Sequence, residues 1–140
     1  MQSGITSSER PRVLLVDDNK AMLSRAAAVL TPGCVVVGAA YDGRTALEAA
    51  LALRPDVIVL DISMPGMSGL EVAGALRAAG SQAAVVFLTV HDEEEFRQAA
   101  KAAGGVGYVV KPRLVADLIR AVREAHAGRS CGSAMRVDAK

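Results

Sequence analysis

Five short apolar runs, at residues 12–16, 35–40, 57–60, 84–88 and 107–110, alternate with five stretches whose apolar residues recur at helical spacing. A strand of this length that is apolar throughout is buried on both faces, and strict alternation with helices puts those helices on both sides of a parallel sheet. Right-handed crossovers restrict the winding, so five strands are expected in the order 2-1-3-4-5 with five helices. The first helix carries the stripe Met22, Ala26, Val29 and Leu30, and the second Ala46, Leu47, Ala50, Leu51 and Leu53. Leu70, Ala73, Leu76 and Arg77 open a third, ended by Gly80. The fourth is expected to begin in Asp92-Glu-Glu-Glu95, where acids suit a helix amino terminus, and to run through Phe96, Ala99, Ala100 and Ala103 to Gly104. The fifth runs from Leu114 through Leu118, Ile119, Val122 and Ala125 to Gly128.

A chain of 140 residues with 51% apolar content has enough for one core. One domain is expected over residues 11–128, between a polar, flexible arm at 1–10 and a polar tail at 129–140 that either ends the chain or begins a linker. The amino terminus has no apolar core of a secretory signal, and no run approaches the roughly 20 apolar residues of a membrane span, so a cytoplasmic protein is expected. Aromatic residues make up 3% of the chain, and the net charge of +1 is spread without a basic block. Neither a stacking platform nor a phosphate-tracking stripe can be built from this, which argues against direct nucleic-acid binding. Cys34 and Cys131 are too few and too far apart for a disulfide framework or a zinc site, and both read as incidental.

The chemistry gathers at strand ends. Asp17 and Asp18 close the first strand and Asp61 closes the third. In the order 2-1-3-4-5 these strands are neighbours at the switch point, so the three carboxylates meet in one crevice at the carboxyl edge of the sheet. Three such charges a few Å apart repel, each close pair costing on the order of several kcal/mol at an effective dielectric near 20, unless a cation sits between them. A divalent metal is therefore expected. Alone, Asp17-Asp18-Asn19 would more often cap a helix, and Asp61 alone would be a turn residue. The Met64-Pro-Gly-Met-Ser-Gly69 stretch favours function, because its Pro and Gly residues shape a loop that exposes the carboxylate and starts the next helix. Lys111, after the fifth strand, can reach the same crevice.

Val16-Asp-Asp-Asn19, Asp61 followed by Ile62-Ser-Met-Pro-Gly-Met-Ser-Gly69, Leu88-Thr89 and Gly107-Tyr-Val-Val-Lys-Pro112 occur in order, each at the end of an expected strand. Over roughly residues 12–127 this pattern resembles the receiver domain of two-component response regulators, whose sheet is flavodoxin-like. The resemblance implies that Asp61 is the phosphoacceptor, taking a phosphoryl group from a partner sensor histidine kinase or phosphotransfer protein. It implies a Mg2+ site made by Asp17 or Asp18, Asp61 and the main-chain carbonyl of Ser63, which suits the oxygen ligands that this ion prefers. It implies that Lys111 holds a phosphoryl oxygen, that the Lys111–Pro112 bond is cis, and that Thr89 and Tyr108 form a switch, Thr89 drawn to the phosphate and Tyr108 filling the vacated space. Such a chain is a signalling module and not an enzyme, beyond promoting its own phosphorylation and dephosphorylation.

Val90 is larger than the small residue common after the threonine, and the resemblance places it, with Ser63 and His91, at the mouth of the site; otherwise His91 reads as a solvated loop residue. His126 reads as helix surface, favoured near a carboxyl end. Arg97, Lys101, Asp117 and Arg120 lie on the face shared by the fourth helix, strand 5 and the last helix, which suits homodimer formation or docking of another domain through paired charges, against the commoner reading of a solvated face. Two other classes use similar parts. An aspartate-nucleophile phosphatase of the haloacid dehalogenase type would need Asp-x-Asp and a cap domain; here the acids are adjacent and no cap fits. A flavodoxin-like flavin carrier would need a Ser, Thr and Gly-rich phosphate loop, where Asp17 and Asp18 would repel a phosphate.

Overall fold

A computed structural model describes residues 10–131. The expected arm before residue 10 and the tail beyond residue 131 lie outside the described residues, as does the side chain of Cys131. The elements follow in the order β1 (Arg12–Val16), α1 (Lys20–Leu30), β2 (Val35–Ala40), α2 (Gly43–Leu53), β3 (Val57–Leu60), α3 (Gly69–Ala78), β4 (Ala84–Thr89), α4 (Glu94–Ala102), β5 (Gly107–Val110), a 3-10 turn (Lys111–Arg113) and α5 (Leu114–Cys131). All neighbouring strands are parallel, and the sheet order is β2-β1-β3-β4-β5. The expected topology is the one observed.

Each inner strand contributes alternate residues to two cores, because side chains along a strand point to opposite faces. Val13 and Leu15 of β1 join Val57, Val59, Val86 and Leu88 under α1 and α5, packed by Leu23, Leu30, Leu114, Leu118 and Val122. Leu14 and Val16 face the other way with Ile58, Leu60, Val85 and Phe87, covered by Ala46, Ala50, Val72, Leu76 and Ala100 of α2, α3 and α4. Burying a Leu or Val of this kind stabilises by about 1.5–3 kcal/mol. Ala46 and Ala50 on α2 and Ala100 on α4 let those helices lie close to the sheet.

Several expectations need correction. Leu51 and Leu53 are exposed, since the Ala46 and Ala50 stripe alone turns toward the sheet. Leu53 lies over β2, where a Cβ on Gly38 would meet its Cδ1 at 3.1 Å. Helix α4, by contrast, starts at Glu94, within the acidic stretch expected, and Asp92 before it binds Arg97 at 2.7 Å. Helix α5 runs through Gly128 to Cys131, because a single Gly costs a helix only about 1 kcal/mol and does not by itself end it. No peptide bond among the described residues is cis, so the Lys111–Pro112 bond is trans, the form favoured by about 0.5–1 kcal/mol before proline. His126 is half-buried with Nε2 3.9 Å from Asp56 Oδ2, not a solvated surface residue, because α5 packs against the start of β3. None of the described helices is long and apolar enough to cross a membrane.

Candidate functional site

Asp17 and Asp61 extend directly from the paired ends of β1 and β3, where Val16 lies opposite Leu60. The Asp61 N–H donates to the Val16 carbonyl at 3.1 Å, which continues the ladder one residue past the strand and fixes the acid in place. Both carboxylates are buried, at 2% and 3% exposure, while Asp18 is exposed. Ligand atoms of Asp17, Asp18 and Asp61 all lie within 4.8 Å of one another. Asn19 orders this corner. Its N–H donates to Asp17 Oδ1 at 2.8 Å, and its own Oδ1 caps α1 by accepting from the Met22 N–H at 3.0 Å.

Lys111 reaches the two buried acids from the 3-10 turn, its Nζ 2.9 Å from Asp17 Oδ2 and 3.2 Å from Asp61 Oδ2. The trans geometry therefore suffices, since four methylene groups span the distance. Burial is the strongest influence on Asp61 and pushes its carboxyl above the ordinary range; the Asp17 charge adds to this, and Lys111 opposes it without reversing it. On Lys111 burial also acts most strongly, favouring the neutral amine, yet its close pairing with Asp17 and the charges of both acids together hold it above its ordinary value. Among the described residues Asp17 Oδ2 accepts no hydrogen bond of good geometry, and the Lys111 ammonium stands 2.9 Å from it. A buried carboxylate oxygen in that position is costly. One ammonium for three acids leaves the cluster short of positive charge, and the donor set is all oxygen, so the cluster could hold a hard metal ion.

The loops on either side are tied together. Ser63 Oγ and His91 Nε2 lie 2.7 Å apart, joining the β3–α3 loop to the β4–α4 loop. The His91 ring stacks on Phe96 of α4, with centroids 4.0 Å apart and planes 8° apart. The Tyr108 hydroxyl donates to the His91 carbonyl at 2.8 Å, and the His91 N–H approaches Thr89 Oγ1 at 3.4 Å. His91 is thus a half-buried junction and not a solvated loop residue. Thr89 is fully buried at the end of β4, whereas Val90 is 62% exposed. Arg97 lies over the Tyr108 ring at 4.6 Å and binds Asp92. Asp117 is engaged by Arg113 at 3.0 Å and Arg120 at 3.4 Å, so it pairs within the chain.

Three contributors escaped the reading of the sequence: Asn19 as the residue that orients Asp17, Phe96 as the ring under His91, and Gly69. A Cβ on Gly69 would lie 2.0 Å from the Asp61 carbonyl oxygen and 2.8 Å from its carbon. Only glycine lets α3 begin this close behind the Asp61 backbone, where Ser68 and Glu71 form a reciprocal cap. The Ser68-x-x-Glu71 spacing was a visible signal for the cap; nothing local signals the contact behind it.

Residues 13–123 match the family described as response regulator receiver domain. The transcriptional regulatory protein PrrA of Mycobacterium tuberculosis is 40% identical over 123 residues, which cover 88% of this chain and 52% of PrrA. The chain therefore spans about half the length of that relative. Among solved structures, the signal receiver domain of NarL from Mycobacterium tuberculosis superposes with a TM-score of 0.81 at 33% identity, covering 85% of this chain and 98% of the other. A LuxR-family response regulator from Aurantimonas sp. SI85-9A1 gives a TM-score of 0.81 at 31% identity, over 86% of this chain and 87% of that one.

Proposed function

Because this chain belongs to the response regulator receiver domain family, signalling domains of two-component systems and not enzymes, we propose that Asp61 is its phosphoacceptor. The observation that carries the reading is the gathering of Asp17, Asp18, Asp61 and Lys111 at one sheet edge, with the ammonium between the two buried acids. The donor is a phosphohistidine on a sensor kinase or phosphotransfer protein. An Asp61 carboxylate oxygen attacks phosphorus in line, the P–N bond breaks, and the imidazole leaves with the bonding pair and takes up a proton from solvent. Such transfer depends on positioning and on neutralising the phosphoryl oxygens. Asp17, Asp18, Asp61 and the Ser63 carbonyl would hold Mg2+, whose charge offsets theirs and that of the phosphoryl group. Lys111 exchanges its bond to Asp61 for one to a phosphoryl oxygen, and the Thr89 hydroxyl donates to another. We place the functional domain at residues 11–128 and the protein in the cytoplasm. The phosphatase and flavin-carrier alternatives have no support in the family match.

Lys111→Ala tests the division of labour. Mg2+ affinity should stay close to wild type or rise, since a competing positive charge is gone. The beryllofluoride mimic of the acyl phosphate should then lose most of its effect on the NMR resonances of Thr89 and Tyr108. Wild-type shifts in this variant would remove Lys111 from the phosphoryl site.

The same reading makes α4, β5 and α5 the responsive face, because Tyr108 and Arg97 lie there beside His91. Self-association through this face is part of the proposal, with coupling to phosphorylation of roughly 1–3 kcal/mol. Sedimentation should show a shift from monomer toward dimer on adding beryllofluoride and Mg2+. An unchanged mass over a wide concentration range would rule the homodimer out.

A further inference from the structure

We infer that Ser63 and His91 form a second relay, one that carries the state of Asp61 to the first turn of α4 without passing through Thr89 and Tyr108. The inference rests on the phosphoacceptor reading of Asp61 and adds a route out of that site. Ser63 stands two residues after Asp61 in the β3–α3 loop, and its main-chain carbonyl is one of the groups proposed above to hold Mg2+. The hydroxyl of the same residue shares a 2.7 Å hydrogen bond with His91 Nε2. The imidazole is then laid flat on Phe96, the third residue of α4, at 4.0 Å and 8°. Two consecutive contacts therefore link the loop that follows Asp61 to the helix.

The chemistry of the links makes the chain responsive. A phosphoryl group on Asp61 adds charge of about −1.5 to −2 and acceptor oxygens two residues from Ser63, so the peptide carrying Ser63 shifts to meet them. A short hydrogen bond passes that shift to a ring stacked on Phe96, in a residue whose main-chain carbonyl is fixed by the Tyr108 hydroxyl. The stacked imidazole bears on a short helix end that has no side-chain cap. The Glu93 N-cap of α4 makes no such bond, whereas Asn19, Asp42 and Ser68 cap α1, α2 and α3 with theirs. The start of α4 is thus held by the His91–Phe96 stack in place of a cap.

With only two phenylalanines and two tyrosines in the chain, the Phe96 ring is a resolved NMR probe beside Phe87. In the wild type, Mg2+ with beryllofluoride should shift the rings of His91, Phe96 and Tyr108. In Ser63→Ala the His91 and Phe96 response should lose most of its size while the Thr89 and Tyr108 response persists, and Ser63→Thr, which keeps a hydroxyl, should restore it. His91→Phe keeps a stacking ring without the hydrogen bond and should behave like Ser63→Ala. Thr89→Ala should do the reverse, sparing Phe96 and silencing Tyr108. A full-sized Phe96 response in Ser63→Ala, or no restoration by Ser63→Thr, overturns the relay and leaves the phosphoacceptor reading intact. If beryllofluoride shifts nothing around Asp61 in the wild type, the phosphoacceptor reading falls and the relay with it.

Discussion

Asp61→Asn is expected to bring phosphoryl acceptance below detection while the protein stays folded and, at neutral pH, melts higher than the wild type. The amide has nearly the shape of the carboxylate but no nucleophilic oxygen, so loss of labelling tests chemistry and not packing. The stability gain follows from the sign of the pKa shift. Burial raises the folded-state pKa of Asp61 above its unfolded value, so the favourable contribution of this group is full below the ordinary carboxylate range. It is lost as the pH rises through the raised value, leaving an ionised group that costs stability at neutral pH. The asparagine variant escapes that cost, and its advantage should vanish in acid. Mg2+ should raise the melting temperature of the wild type by mass action and that of the variant less. Labelling of the variant at the wild-type rate, or a melting temperature that falls at neutral pH, would contradict this account of Asp61.

Gly69→Ala should be the most damaging single methyl group in the molecule. Its Cβ would stand 2.0 Å from the Asp61 carbonyl oxygen and 3.0 Å from Ile62 Cα, all backbone, which cannot swing aside as a side chain can. Either α3 moves outward and loses the Gly69 N–H bond to the Ile62 carbonyl, now 2.8 Å, or the Asp61 peptide shifts. Overpacking of this kind costs typically 1–3 kcal/mol and here, with backbone on both sides, about 3 kcal/mol or more. The melting temperature should drop by roughly 10 °C. A displacement of about 1 Å at the nucleophile is worth on the order of 100-fold in rate, so phosphorylation should slow even where the variant is folded. Gly74→Ala supplies the contrast from the same helix. A Cβ there meets nothing within 4 Å, and the change should stabilise by about 1 kcal/mol or less. Equal melting temperatures for the two variants would show that the Gly69 contact does not constrain the fold.

The sheet order and the three-carboxylate cluster were legible because they depend on patterns that sequence carries directly. Apolar runs such as Val57-Ile-Val-Leu60 mark strands, and an acid at the end of each of two neighbouring parallel strands must share an edge with the other. The amphipathic stripes were readable to within a turn. They misplaced Leu51 and Leu53, since a stripe of alanines buries as well as one of leucines when the helix lies close to the sheet. What could not be read depends on loops meeting in space. The resemblance set Ser63 and His91 at the mouth of the site, but nothing near either residue signals the hydrogen bond that joins them across 28 residues. Gly69 read as part of a loop that starts the next helix, whereas its constraint comes from the strand end behind it. His126 looked like surface because its partner, Asp56, is contributed by another element. The trans Lys111–Pro112 bond departs from what the family resemblance implies, yet the ammonium still stands between the two acids.

The most direct measurement is the site of the label itself. After incubation with a small acyl phosphate donor and Mg2+, the protein is reduced with borohydride, which converts an aspartyl phosphate to homoserine, and its peptides are mapped by mass spectrometry. The account predicts one modified position, Asp61, whose labelling disappears when the metal is chelated. Modification at Asp17, Asp18 or any other residue, or labelling of Asp61 that is indifferent to the metal, would contradict it.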